Sequence, residues 1–327
     1  MTDAPAIDES RIGGTPLLAV ELPGVPCEVY AKPEWYNLPE QPYGGGSVKS
    51  RIARSMLDAA DVASDARVVE PSSGNTGTAL ARLGVARGHD VEIVMPAEAP
   101  ERKRAAIRDV GGTVTEAPDY EAMLDLAARR AEESDAYVPD QYANPANPRA
   151  HEETTGPEIR AQTDGRVTHF VAGAGSGGTV TGVARALSDR GDVTVVAYEP
   201  AEPSHGIDGL KYVRGPRFHD PDVYARDELD DVLAVPTADA YYEARRLRER
   251  YADADPAIHD SGQHDREAVE RHLRVDGEFL VGPSSGGALA AVRRLAERGR
   301  LAPDDVVVVP FPDRGDRYAD LPLWPAP

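Results

Sequence analysis

Lys49 is one of only four lysines in a chain that otherwise draws its positive charge from arginine, and it closely follows a glycine run in Tyr43-Gly44-Gly45-Gly46-Ser47-Val48-Lys49-Ser50-Arg51. Lysine forms a Schiff base with a carbonyl compound, arginine does not, and a lysine amine shifts its pKa readily where its surroundings disfavour charge. Ser47 serves as an N-cap for an apolar stripe at Val48, Ile52, Met56 and Leu57, which places Lys49 in the first turn of a helix, where the neutral amine is favoured. Three loops of small residues accompany it, each after an apolar strand and before a helix, where parallel sheets bind ligands. The first, Glu70-Pro71-Ser72-Ser73-Gly74-Asn75-Thr76-Gly77, offers the hydroxyls of Ser72, Ser73 and Thr76 to a carboxylate and the Asn75 amide to a ring oxygen. The second, Gly173-Ala174-Gly175-Ser176-Gly177-Gly178-Thr179, is a glycine nest suited to a phosphate. The third, Gly282-Pro283-Ser284-Ser285-Gly286-Gly287, presents the neutral hydroxyl of Ser284 to a heterocyclic nitrogen. Taken singly, the first loop reads equally as a capped helix start, and the third reads more readily as one. A charged turn, Pro310-Phe311-Pro312-Asp313-Arg314-Gly315-Asp316-Arg317-Tyr318, follows the last strand, and its role stays open between structure and function.

The second loop also spells Gly-x-Gly-x-x-Gly at 173, 175 and 178, and Glu199 closes the next strand, so a NAD-dependent oxidoreductase is a competing reading. Against it, Gly177-Gly178-Thr179 packs small residues where a dinucleotide fold uses a longer finger, and such an enzyme has no use for the Lys49 and Asn75 segments.

The elements that must position these groups alternate in type. Short apolar strands at 67–70 and 91–95 alternate with helices at 76–87 and 101–110. A second series runs through a strand at 169–172, a helix to about 189, a strand at 193–198, a helix at 238–251, and short strands at 279–281 and 306–309. This is the rhythm of parallel sheets covered by helices. Two α/β domains are expected, each with a mostly parallel sheet: a smaller one over 43–150 with the Asn75 loop, and a larger one from 1–42 plus 151–327 with the phosphate loop. The Pro/Asn-rich stretch 141–148 is a crossover rather than an element interior.

Lysine and arginine total 36 and aspartate and glutamate 56, a net charge of −20 that repels phosphate backbones and argues against nucleic acid as a partner. The acidity is spread along the chain and arginine replaces nearly all lysine, a pattern read as adaptation to a salt-rich cytoplasm (halophilic). No apolar span is long enough for a membrane, the acidic N-terminus carries no targeting pattern, and a cytoplasmic location is expected. Cys27 is the single cysteine, expected as a buried structural thiol, and the eight histidines show no ligand spacing, so no metal site is expected.

Together these segments resemble the cysteine synthase and cystathionine β-synthase family of pyridoxal-phosphate enzymes, which has the tryptophan synthase β-like fold (fold type II). The likeness spans roughly residues 12 to 318. It carries the Schiff-base role onto Lys49, substrate-carboxylate binding onto Ser72, Ser73 and Thr76, and ring-oxygen contact onto Asn75. It also carries the phosphate cradle onto Gly175, Ser176, Gly177, Gly178 and Thr179, the pyridine-nitrogen hydroxyl onto Ser284, and substrate binding onto Gln141. The resemblance implies pyridoxal 5'-phosphate in the cleft between the domains, and a Lys49 that removes and returns the α-proton. It implies β-replacement on O-acetylserine or O-phosphoserine by a sulfur nucleophile, giving L-cysteine, in a homodimer. A serine beside the pyridine nitrogen leaves that nitrogen unprotonated and favours elimination and replacement over transamination. Ser72 stands where the family usually has threonine. The stretch His205 to Arg214 is larger and more basic than in A-type cysteine synthases and nearer the B-type or O-phosphoserine-using branch, so Lys211 and Arg214 are candidates for a substrate phosphate. Cystathionine β-synthase and serine/threonine dehydratase-type lyases are the alternatives: no haem-binding extension or regulatory segment is read for the former, and the dehydratases spell the lysine and asparagine segments differently.

Overall fold

A computed structural model describes residues 7–43, 45–188, 193–213 and 220–324. Among the described residues ten strands form two sheets: β1 (Leu17–Ala19), β2 (Glu28–Pro33), β3 (Arg67–Pro71), β4 (Asp90–Pro96), β5 (Thr113–Ala117), β6 (His169–Gly173), β7 (Thr194–Pro200), β8 (Asp231–Val235), β9 (Ala257–Asp260) and β10 (Val306–Phe311). The larger sheet runs β8-β7-β6-β10-β2-β1-β9 and the smaller β3-β4-β5. All pairings are parallel except those of β1, which pairs antiparallel with β2 and β9.

The β-branched runs form buried strands because successive side chains face opposite sides of a sheet covered on both faces. Val307 and Val309 join one core, with Val171, Val196 and Leu289, while Val306 and Val308 join the other, with Phe170, Ala172 and Val183. In the smaller sheet Val68, Ile93 and Met95 face one core, Val69 and Val94 another.

Ser47 caps the helix Val48–Ala59, its hydroxyl accepting from Lys49 N while Ser50 closes a capping box, and Val48, Ile52, Met56 and Leu57 are buried as their spacing predicts. The stretch 279–281 is not a strand. Val281 forms only an isolated bridge with Arg314, because Gly282 N bonds Asp313 O and Pro283 immediately opens the helix Pro283–Glu297. The strands β1, β5, β8 and β9 were not expected from the sequence, since segments of three to five residues are too short to show a clear period. Cys27 sits just outside β2, half-buried, and burial, with Asp305 nearby, pushes its thiol up to about 11, the inert state of a structural cysteine.

Candidate active site

The loops after β3, β6, β7 and β10 all leave the carboxyl ends of parallel strands, and they converge on the N-terminus of the helix that carries Lys49. Two adjoining cavities share Lys49, Asn75, Asp208, Gly209 and Leu210 in their linings. Among the described residues no hydrogen-bond or ion-pair partner reaches Lys49 Nζ, and burial pulls its ammonium down to about 8 against an upward pull from the Asp313 carboxylate. The desolvation expected of a nucleophilic lysine is therefore in place before any ligand arrives.

One cavity reaches the glycine nest. A Cβ on Gly175 would lie 2.3 Å from Gly209 O, and one on Gly178 2.0 Å from Asn147 Oδ1; Gly177 has φ +85°, and a Cβ there would lie 2.4 Å from Tyr224 Cβ. Only glycine fits at these positions, and the N–H groups of Gly175, Ser176 and Gly177 donate to no acceptor among the described residues. Ser176 Oγ accepts from Asn147 Nδ2 at 2.9 Å, and Thr179 Oγ1 lies 3.1 Å from Nε2 of the buried His151. Burial, with Arg51 and Lys49 close by, holds that imidazole well below its ordinary range, so it is neutral near pH 7. Ser284 lines the same cavity with its hydroxyl unpartnered among the described residues, while its carbonyl takes the Tyr198 hydroxyl. A nest of free N–H groups, an unpaired amine and an unpaired hydroxyl around one cavity fit a phosphorylated pyridine aldehyde.

The other cavity is bordered by the Ser72 loop. Ser72 Oγ accepts from Gly77 N at 2.9 Å, the capping role allowed for this loop, and still has its own hydrogen to donate. Ser73 is exposed at the rim, and Thr76 donates to Gln141 Oε1 at 2.7 Å, so two predicted substrate residues meet directly. Gln141 is oriented by Glu70, whose carboxylate accepts from the N–H of Asp140 at 2.9 Å and which burial pushes up to about 8. Asn75 is oriented from outside: Nδ2 donates to Asp313 Oδ2 at 2.5 Å and Oδ1 accepts from Arg317 Nη1 at 2.7 Å.

Lys211 lines this cavity with Nζ 3.9 Å from the Tyr120 ring centroid and 5.4 Å from that of Tyr142, while Arg214 lies outside the described residues. Sequence reasoning missed Lys103, whose Nζ pairs with Asp208 at 2.6 Å across the cavity lining. Lysine scarcity was the available signal: Lys32, Lys49, Lys103 and Lys211 are all buried or half-buried, and among the described residues the exposed side-chain cations are arginines. Asn147 and Tyr198 were also missed as site residues, being polar groups scattered over distant segments, while Asp313, from the charged turn whose role the sequence left open, lines the cavity at the glycine nest. Glu199, the acid required by a dinucleotide reading, is fully buried and accepts from Tyr224 at 3.1 Å and Arg226 at 2.5 Å, so its carboxylate is not presented to a ribose. Among the described residues no group of three or more His, Cys, Asp or Glu is placed to hold a metal ion, and no helix is long and apolar enough to cross a membrane.

A family model described as "Pyridoxal-phosphate dependent enzyme" matches residues 9–313. The chain belongs to the pyridoxal-phosphate dependent enzyme family. Its fold is the two-sheet α/β architecture of that family, and pyridoxal 5'-phosphate is its cofactor. The chain is 36% identical over 320 residues to cysteine synthase B of Salmonella typhimurium, covering 95% of this chain and 93% of that protein. It is 37% identical over 329 residues to a cysteine synthase of Aquifex aeolicus, covering 96% and 90%. Among solved structures, O-ureido-L-serine synthase superposes with a TM-score of 0.79 at 30% identity, covering 98% of this chain and 95% of that one. Cysteine synthase of Entamoeba histolytica gives 0.78 at 26%, covering 99% and 93%.

Proposed function

We propose that this family member is a cysteine synthase: it replaces the leaving group on the β-carbon of an activated serine with a sulfur nucleophile, giving L-cysteine. The observation that carries the reading is Lys49, an unpaired amine held near pKa 8 where both cavities meet. The near-full-length likeness to proteins named cysteine synthase supports the choice of reaction.

Pyridoxal phosphate, when bound, supplies the electron sink that allows a bond at the α-carbon of an amino acid to break heterolytically. This chain's residues do the rest. Gly175, Ser176, Gly177, Gly178 and Thr179 hold the phosphate by N–H groups and the Thr179 hydroxyl, Ser284 faces the ring nitrogen, and Asn75 gives its remaining amide hydrogen to the ring oxygen. Ser72, Ser73, Thr76 and Gln141 bind and orient the substrate carboxylate. Lys49 Nζ anchors the cofactor, takes the α-proton and returns it, a task suited to an amine that titrates close to working pH. Lys211, which lines the same cavity as the Asp208-paired Lys103, faces the leaving group and favours a phosphorylated one; Arg214 is retained as a second candidate.

In the same reading the domains divide as 43–150 and 1–42 plus 151–327, a split supported by the two separate sheets. The enzyme acts as a homodimer, as its family resemblance implies, in a salt-rich cytoplasm, for which its net charge of −20 spread along the chain is the support. The test is a matrix of O-acetylserine and O-phosphoserine against sulfide, thiosulfate, a carrier-protein thiocarboxylate and homocysteine, scored by the amino acid formed. Cysteine from a sulfur donor supports the reading; cystathionine alone, or ketoacid without any replacement product, rejects it. Replacing Lys211 with alanine is expected to lower kcat/KM for O-phosphoserine relative to O-acetylserine about tenfold, the scale of one charge-assisted contact. An unchanged ratio removes Lys211 from that role.

A further inference from the structure

The charged turn after β10 is absorbed by none of the ligand roles above, yet it contacts two of the segments that carry them. Arg317 is 2% exposed, and its guanidinium spends Nη1 on Asn75 Oδ1 at 2.7 Å and Nη2 on the carbonyls of Gly45 and Gly46 at 2.7 and 2.8 Å. Its charged carbon lies 4.9 Å from the centroid of the Tyr43 ring. One side chain therefore touches both the Asn75 loop and the glycine run that leads into Lys49.

An amide has a donor end and an acceptor end, and their orientation matters. Here a cation holds Oδ1 of Asn75, while Asp313, itself hydrogen-bonded by the Tyr318 hydroxyl, holds one hydrogen of Nδ2. The reverse flip would set the amide nitrogen against the guanidinium and its oxygen against the carboxylate. Only the observed orientation satisfies both neighbours, and it leaves one amide hydrogen free. The glycine run is held as firmly. Gly45 O also accepts from Arg82 Nη1 at 2.7 Å, and Arg82 lies on the helix Asn75–Arg87 that Asn75 opens. Gly45 has φ +71°, and a Cβ on Gly46 would fall 1.3 Å from Asn37 O, so both positions require glycine, whose intrinsic freedom the Arg317 and Arg82 bonds to these carbonyls restrict.

We propose that Arg317, assisted by Asp313, is a positioning residue that fixes the Asn75 amide in one orientation and sets the Lys49 segment in register with it. Arg317 lines neither cavity and acts through Asn75 and the glycine run. Positive charge alone does not perform this task. A lysine ammonium lacks the planar fork that reaches an amide oxygen and two carbonyls at once. The inference rests on Asn75 being the ring-oxygen ligand.

The test is a double-mutant cycle read on cofactor binding rather than turnover. Apoprotein prepared from wild type, Asn75→Ala, Arg317→Lys and the double variant is titrated with pyridoxal phosphate, and the Kd and visible absorption maximum of each are recorded. Each single change is expected to raise Kd roughly ten- to hundred-fold, the scale of one hydrogen bond to a charged group, and to shift the absorption maximum. The double variant is expected to bind no more weakly than the weaker single one, since both changes remove the same interaction. Urea unfolding of the four apoproteins accompanies the titration, with Arg317→Gln replacing any Arg317→Lys form that does not fold. Wild-type Kd and spectrum in the Arg317 variant, or losses that multiply in the double variant, overturn the proposal. An Asn75→Ala protein that binds like wild type overturns the ring-oxygen reading, and the proposal with it.

Discussion

At the scale of single residues, the chemistry depends on keeping an unpaired amine out of water. The folded state depresses the Lys49 pKa from 10.5 to about 8, so between those values the unfolded chain binds more protons than the folded one. This group therefore costs stability at neutral pH, and stability gains from it as pH rises from about 8 to 10.5. Replacing Lys49 with methionine, which removes the charge at similar length, is expected to raise Tm at pH 7 and to flatten the rise in stability above pH 8 while abolishing turnover. A lower Tm at pH 7 would show that the ammonium is not under strain. The same titration governs cofactor capture: the rate of pyridoxal phosphate uptake by apoprotein is expected to climb with pH and level off above about 8, as the neutral amine becomes dominant. A rate independent of pH between 6.5 and 9 would contradict an amine of that pKa.

At the scale of elements, the site is made of loops between a strand's carboxyl end and a helix, and their glycines are steric requirements. Gly178→Ala would drive a methyl into Asn147 Oδ1, 2.0 Å away, so that variant is expected to fold and to lose cofactor affinity at least tenfold, measured by titration. The helix bearing Lys49 is anchored below the site by a buried network in which Arg51 pairs with Glu34 at 2.6 Å and Glu158 at 2.7 Å, and Glu158 takes Lys32 at 2.9 Å. Burial alone would raise the Glu158 pKa, but the charges of Arg51 and Lys32 outweigh it and hold the carboxyl well below the usual carboxylate range. Its contribution is full above the unfolded carboxylate pKa and is lost as pH falls through the folded one. Glu158→Ala leaves Arg51 and Lys32 to share the single Glu34 carboxylate, one buried positive charge in excess, and is expected to cost roughly 3–5 kcal/mol in urea unfolding. A cost under about 1 kcal/mol would show that water compensates it.

Much of this element scale was legible in the sequence, because glycine and hydroxyl loops after β-branched runs have a fixed place in parallel sheets, and because capping at Ser47 fixes the helix start. The Lys49, Asn75, Gly175 and Ser284 segments fall around one pair of cavities as those patterns imply. Long-range partners were not legible. Lys103 meets Asp208 and Asn75 meets Arg317 across 105 and 242 residues of chain, pairings that no local periodicity encodes. The short apolar stretch 279–281 misled for a related reason: three apolar residues are buried by any packed segment, and only hydrogen-bond partners decide between strand and loop.

At the scale of the whole molecule, lysine is confined to the interior and the cleft, while the surface is acidic with arginine as its cation. A net charge of −20 on 327 residues places the compact state under self-repulsion, which added salt screens as the Debye length falls from about 8 Å at 0.15 M to about 3 Å at 1 M. The urea midpoint of the holoenzyme is expected to rise steadily as KCl is raised from 0.15 to about 2 M. A midpoint that is flat or falls over that range would show that the acidic surface carries no salt requirement.

These scales meet at one atom, Nζ of Lys49, and one measurement addresses it directly. Protein loaded with pyridoxal phosphate is reduced with borohydride, digested and mapped by mass spectrometry. The pyridoxyl group is expected on Lys49 alone, on every loaded chain. Label on Lys103 or Lys211 instead, or a loaded protein that reduction leaves unlabelled, would contradict the assignment of Lys49 as the lysine that binds the cofactor.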